Sequence, residues 1–281
     1  LSRGLGDVYK RQSKVIAASG AAISITGPTF TGGISNAGLI SAAAGTGIFV
    51  SGAAIFAGGI SNSGTIAAGS TGIFVSHVAT FAGGISNSGT ISAGHSSIGI
   101  DVTKVASLAG SISNGGAILA GSTGIQVSRV GQFGTSGAGG ITNAGLISAA
   151  SGNGIYVNRV TTFLGGIANS GTINAASGDA IEVTKVTSFS GNISNAGTIA
   201  AANGIVIAGS TITGSILDSG NILASNVGIS IDKNSAIIAS KTAIAISGAT
   251  FTGGITNAGT VSSAGGLGIF VGGIASVGGS V

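Results

Sequence analysis

Basic residues recur at one place in a repeated phrase of this chain. In the pattern Ile-x-Val-x-[basic]-Val the fifth position reads His77, Lys104, Arg129, Arg159 and Lys185 in successive copies, and Lys233 resumes it after an interruption at Gly209. If the copies stack, the column becomes an outward-pointing stripe with one charge per ~4.8 Å, the spacing of neighbouring strands. That chemistry suits a polyanion, such as a host or environmental acidic polysaccharide or the phosphates of lipopolysaccharide. Five of the seven Lys and Arg residues beyond position 12 lie in this column. A competing expectation is that long basic side chains solvate an exposed corner and cover apolar surface with their stems. On that view Asp101 and Glu182, three residues before Lys104 and Lys185, partly neutralise the stripe.

Other chemistry is poorly provided for. Glycoside hydrolysis needs two carboxyl groups flanking one bond. Asp101 and Glu182 share a phase of the repeat but fall three copies apart, about 14 Å at the strand spacing. His77 and His95 lie in adjacent copies with no third ligand in matching phase, and no Ser-His-Asp set aligns. The Gly-Gly-x-Gly-x-Asp calcium repeat and the Gly-Lys-Ser of a phosphate loop are both missing. The expectation is a non-enzymatic chain with no catalytic residue, no metal and no cofactor. Phe49, Phe74, Tyr156 and Phe270 take the outward position of the Gly-Ile-x-Val run. Polar residues interrupt them, so packing under a loop is expected rather than a continuous sugar-stacking ramp.

What must position the stripe is the repeat itself. The phrase Gly-Gly-Ile-Ser-Asn-Ser-Gly-Thr-Ile carries an Asn marker at Asn36, Asn62, Asn87, Asn114, Asn143, Asn169, Asn195 and Asn257, with Asp218 in its place once. Successive markers up to Asn195 stand 26, 25, 27, 29, 26 and 26 positions apart. A period in this range signals a solenoid, whose units bury their apolar faces only by stacking. Within the unit Asn62–Asn87, Asn62-Ser63-Gly64 reads as a turn, Thr65-Ile66-Ala67 as a short strand and Gly69–Gly72 as a second turn. Ile73–Ser76 alternates as a half-buried strand, His77 takes the next corner, and Val78–Phe81 runs on into Gly83-Gly84-Ile85. Three short strands and three corners describe one rung of a β-helix.

Two columns follow. Phe30, Phe56, Phe81, Leu108, Phe133, Phe163, Phe189, Ile212, Phe251 and Val277 form an internal, largely aromatic stack, and the Asn markers form an amide ladder. The longest regular unit, Asn114–Asn143, holds a small loop around Thr135-Ser136-Gly137. The interval from Asp218 to Asn257 is too long for one unit and hides a degenerate marker at Asn234. It splits there into two compressed rungs, Asp218–Asn234 and Asn234–Asn257. Ten rungs make a rod about 50 Å long.

Composition agrees. Gly contributes 55 of 281 residues, but one Pro and no Gly at every third position exclude collagen. With 43% hydrophobic and 6% charged residues the chain can bury a core. No run reaches the ~18 apolar residues of a membrane helix. Absence of Cys removes disulfides and thiolate metal sites, and suits a chain exported unfolded. Residues 1–12 fit no phase of the repeat and resemble translated sequencing-adapter DNA, so they are expected to be a non-native segment. They supply +2 of the formal net charge of +4; the 7 basic and 5 acidic residues that remain are too nearly balanced to point to nucleic acid. Residues 13–281 then form a single β-helix domain, expected to be cut mid-rung at both ends.

The Gly-Gly-Ile-x-Asn-x-Gly-Thr-Ile and Gly-Ile-x-Val runs resemble the passenger regions of bacterial autotransporters (type V secretion), in particular β-strand-repeat proteins, over residues 13–281. The resemblance implies an all-β, right-handed parallel β-helix, a solenoid of about ten rungs of roughly 26 residues each. It also implies export through a C-terminal β-barrel translocator and display at the cell surface or outer membrane, as a structural or adhesive rod. Two alternatives stand beside it: a fragment of a polysaccharide-acting β-helix enzyme whose site lies outside this chain, and a trimeric autotransporter adhesin, whose heads repeat at about half this period.

Overall fold

Every strand stacks on its counterpart in the next repeat. The computed structural model describes residues 14–135, 139–274 and 276–278. Among these the chain is all β, in three parallel sheets of 18, 10 and 10 strands. The expected non-native segment 1–12 lies outside the described residues, as do Ser136 and Gly137 of the expected loop.

One rung shows how sequence becomes shape. Ile85–Asn87 belongs to a sheet we call the asparagine sheet. After the turn Ser88-Gly89 the chain enters the bent sheet as Thr90–Ala93, turns, and continues in its second arm as Ile100–Thr103. A single residue, Lys104, then redirects it toward Ser107–Leu108 in the phenylalanine sheet. Ile112 begins the next rung, in register with Ile85.

Apolar side chains alternate inward along each arm, so Ile91, Ile100, Val102, Val105, Leu108 and Ile112 of this rung are all buried. Glycine fills the bend in most rungs, with Ala180 in its place once. At Gly99 a Cβ would stand 2.3 Å from Ile118 Cγ2 and 2.6 Å from the Gly124 carbonyl of the next rung. In three later rungs the two arms merge into the long strands Thr172–Thr184, Thr198–Ala208 and Asn221–Ile231.

The aromatic column exists, with Phe163 centred 4.7 Å from Phe133 and 4.5 Å from Phe189. Each fully buried Phe contributes roughly 1.5–3 kcal/mol of transfer free energy. The amide ladder exists too: each Asn from Asn36 to Asn169 donates Nδ2 to Oδ1 of the next Asn at 2.7–2.8 Å, and Asn195 donates to Asp218 Oδ1 at 2.7 Å.

Beyond Asp218 the structure corrects the expected phase. Asp218 pairs with Ile246, so the ladder ends there. Asn257 pairs with Ile231 and is exposed in the bent sheet, and Phe251 pairs with Ile222 rather than joining the aromatic column. Val277 pairs with Phe251 and shares this displacement. Ile237 and Val261 extend the aromatic column instead. Asn234 marks no rung of the ladder; it lies in a corner, where its N–H donates to Asp232 Oδ1.

The two compressed rungs, Asp218–Asn234 and Asn234–Asn257, are therefore not formed. Strands of the asparagine sheet begin at Ile34, Ile60, Ile85, Ile112, Ile141, Ile167, Ile193, Ile216, Ile244 and Ile269, so the last rungs keep lengths close to the upstream period. The physical reason is degeneracy. Phe251-Thr-Gly-Gly-Ile-Thr-Asn257 offers inward apolar residues around a glycine pair, which suits the bend of the bent sheet as well as the other corner.

Candidate functional site: the basic corner

The corner between the second arm of the bent sheet and the phenylalanine sheet is turned by one residue per rung. That residue adopts left-handed backbone geometry at His77 (φ 52°), Lys104 (52°), Arg129 (53°), Arg159 (53°) and Lys185 (54°). Gly52 (φ 70°) and Gly209 (55°) hold the same conformation in the flanking rungs and close the stripe at both ends. A residue with a Cβ costs roughly 1–2 kcal/mol in this region, where Gly, and less often Asn or Asp, is the usual occupant. Five consecutive rungs nevertheless carry a basic side chain.

The backbone aims them. The N–H groups of Lys104, Arg129, Arg159 and Lys185 each donate to a carbonyl of the next rung, at 2.8–3.1 Å. The following residue, Val78, Val105, Val130, Val160 or Val186, is buried. Pinned on both sides, the corner residue projects outward, and all five are exposed. Ser76 Oγ lies 2.8 Å from His77 Nδ1.

Lys233 reaches the same corner by a different route. Asp232–Ser235 adds a residue to the turn, and Lys233 is not left-handed. Burial alone would raise the Asp232 carboxyl. Hydrogen bonds from Ser235, Gly209 and Asn234 and the charge of Lys233 outweigh that and hold it below the usual carboxylate range. Lys233 therefore stands beside an anion, outside the continuous run of five.

Asp101 and Glu182 form no ion pair with the corner residues. Both occupy the outward column of the bent sheet, three residues before the corner, but each is engaged elsewhere. Asp101 is buried and accepts from Gln126 Nε2 at 3.1 Å; burial pushes its carboxyl up to about 6 against that hydrogen bond. Glu182 accepts from Asn153 Nδ2 and is raised by burial and by the charge of Asp179. Among the described residues no ion pair joins the corner cations to a carboxylate.

Asp179 is a further acid, set at the bend within the long strand Thr172–Thr184, where the register with the next rung shifts. There its N–H donates to Asn153 Oδ1 at 3.0 Å and its Oδ1 accepts from Asn203 at 2.7 Å. The outward aromatics do not form a ramp. Phe49 and Phe74 stack on each other at 5.5 Å, and Tyr156 stands in register between Gln126 and Glu182.

The remaining candidates stay apart. His95 lies in the turn after Ala93, away from the corner of His77. No three His, Cys, Asp or Glu side chains among the described residues group to hold a metal. A groove of about 610 Å³ runs along Gly59, Gly84, Ser61 and Ser86, lined by glycine backbone and serines without an acid or base. Comparison with protein-family models, curated proteins and solved structures finds no match to the chain, so the corner's geometry carries the functional argument.

Proposed function

We propose that this chain is a non-enzymatic rod of an autotransporter-like surface protein, and that its basic corner holds a linear polyanion, an acidic glycan or lipopolysaccharide phosphate. The supporting observation is the five-rung run of basic residues in left-handed geometry. Folding alone favours Gly or Asn at such a corner, as Gly52 and Gly209 illustrate. Stacking like charges one strand apart adds a repulsion of about 1 kcal/mol per neighbouring pair in water. Two unfavourable terms repeated through the rungs, with no carboxylate partner, are reasonable only where an anion compensates.

The rod supports the reading mechanically. Parallel stacking holds the charges in one line, so a stretched polymer meets them in succession without ordering a loop. Surface display follows from the resemblance of the repeat phrases. The test is retention on immobilised heparin and on lipopolysaccharide. A Lys104→Glu/Arg129→Glu/Arg159→Glu variant elutes at markedly lower salt; retention equal to wild type, insensitive to salt, would defeat the proposal. Protease access to the rod on intact cells expressing the full gene tests display, and protection inside the cell would refute it.

A further inference from the structure

The amide ladder has a direction, and its last member differs from the rest. In each of the seven Asn rungs Oδ1 is an acceptor and Nδ2 a donor. Nδ2 reaches the next side chain and also lies 3.2–3.4 Å from the carbonyl of the glycine two residues on. Asp218 accepts at Oδ1 from Asn195 Nδ2 and from the Gly220 N–H at 3.3 Å, as an Asn would. Its Oδ2 stands where the other rungs place the donating nitrogen. That oxygen is buried and has no partner, and the next rung offers only Ile246 in register.

A carboxylate there would hold uncompensated charge in a site built around carbonyl acceptors, away from water. A protonated carboxyl instead supplies an O–H in place of the missing N–H. We propose that Asp218 is a neutral carboxylic acid at neutral pH, that its Oδ2–H donates to a neighbouring carbonyl and terminates the ladder, and that its ionisation loosens the rungs beyond residue 218.

No charged side chain faces it from the elements packed around it. The preceding strand carries Ile193, Ser194 and Asn195, and the following one Ile244, Ala245 and Ile246. The corner itself holds Ser219 and Gly220, with Gly248 lying against Oδ2. Asp232, Lys233 and Lys241 are the nearest charged residues in the following sequence; the Asp218 carboxyl is raised by burial, against the hydrogen bonds from Asn195 and Gly220. A carboxyl raised in the fold stabilises fully below its unfolded value, and that stability is lost as pH rises through the folded value.

The test uses the whole chain and Asp218→Asn, which places at 218 the residue already present in seven rungs. Hydrogen exchange is followed by mass spectrometry in chains that both carry Asp101→Asn, so that Asp101 adds no pH dependence, for segments within 219–271 and, as an internal reference, 34–87, with intrinsic rates corrected for pH. In the chain that keeps Asp218, opening of the later rungs rises with pH, approaching tenfold per unit above the folded value, while the reference stays flat. In Asp218→Asn that rise disappears and opening at pH 8 is at least tenfold rarer. A carboxylic-acid C=O band at pH 7 that shifts with ¹³C-Asp labelling and is missing in the variant reports the proton directly. Flat exchange in the chain that keeps Asp218, faster exchange in Asp218→Asn, or no such band would each overturn the proposal.

Discussion

Asn87 donates its side-chain Nδ2 to Asn114 Oδ1 at 2.8 Å, and Asn114 passes the same bond to Asn143 at 2.7 Å. Both side chains are buried, so every member of this chain of amides must both give and receive. Asn114→Ala removes three donor contacts, to Asn143, Gly116 and Leu146, leaves Asn143 Oδ1 without its donor, and takes from Asn87 one of its three acceptors. The expected loss is about 3 kcal/mol, from one orphaned buried amide oxygen and net hydrogen bonds near 1 kcal/mol each. Equilibrium denaturation measures it; a loss below about 1 kcal/mol, the net value of a single hydrogen bond, would mean that the ladder contributes little.

The aromatic column predicts a graded response. Phe163 is fully buried between Phe133 and Phe189. Phe163→Ala costs about 3–5 kcal/mol through lost transfer energy and a cavity. Phe163→Leu costs much less, about 1–2 kcal/mol, because Leu108 already fills this column in another rung. Denaturation midpoints of the two variants, compared at equal slope, check the order.

Asp101 gives the molecule a pH dependence of known sign. Its carboxyl is raised from 3.8 to about 6, chiefly by burial. Stability from this group is therefore complete below about pH 4 and falls as pH rises through 6, by up to about 3 kcal/mol at ~1.36 kcal/mol per unit. Asp101→Asn keeps an oxygen for Gln126 and removes the charge. The variant should match wild type near pH 4 and exceed it at pH 8. Thermal melts at the two pH values decide, and a variant less stable at pH 8 would contradict the assignment.

The corner trades stability for charge. Lys104→Gly relieves roughly 1–2 kcal/mol of left-handed strain and adds roughly 0.5–1 kcal/mol of chain entropy. The variant should equal or exceed wild-type stability by up to about 1 kcal/mol. Thr80→Gly, in a strand of ordinary geometry, should instead lose stability; chemical denaturation of the pair separates the two cases.

Most of the fold was legible in the sequence because stacking copies a rung's demands from one repeat to the next. The Asn markers from Asn36 to Asp218 fall in the ladder, and Phe30 to Ile212 fall in one column. Legibility failed at Phe251–Asn257, where the phrase satisfies two corners equally and the sequence holds no mark of which one it takes. Only the accumulated length of the preceding rungs decides it. At the candidate site the column of cations was visible, but its left-handed backbone was not, since Lys and Arg are not residues that announce that conformation. The Asn153–Asp179–Asn203 network was hidden for another reason: its members come from the bends of three different rungs.

In the proposed function the basic corner is kept for an anion at a cost to folding. The most direct measurement is salt-dependent affinity for immobilised heparin, wild type against a variant with Gly at positions 77, 104, 129, 159 and 185. The expected variant is at least as stable as wild type and has lost most of its affinity and nearly all of its salt dependence. A stable variant that binds heparin as wild type does, with the same salt dependence, would contradict it.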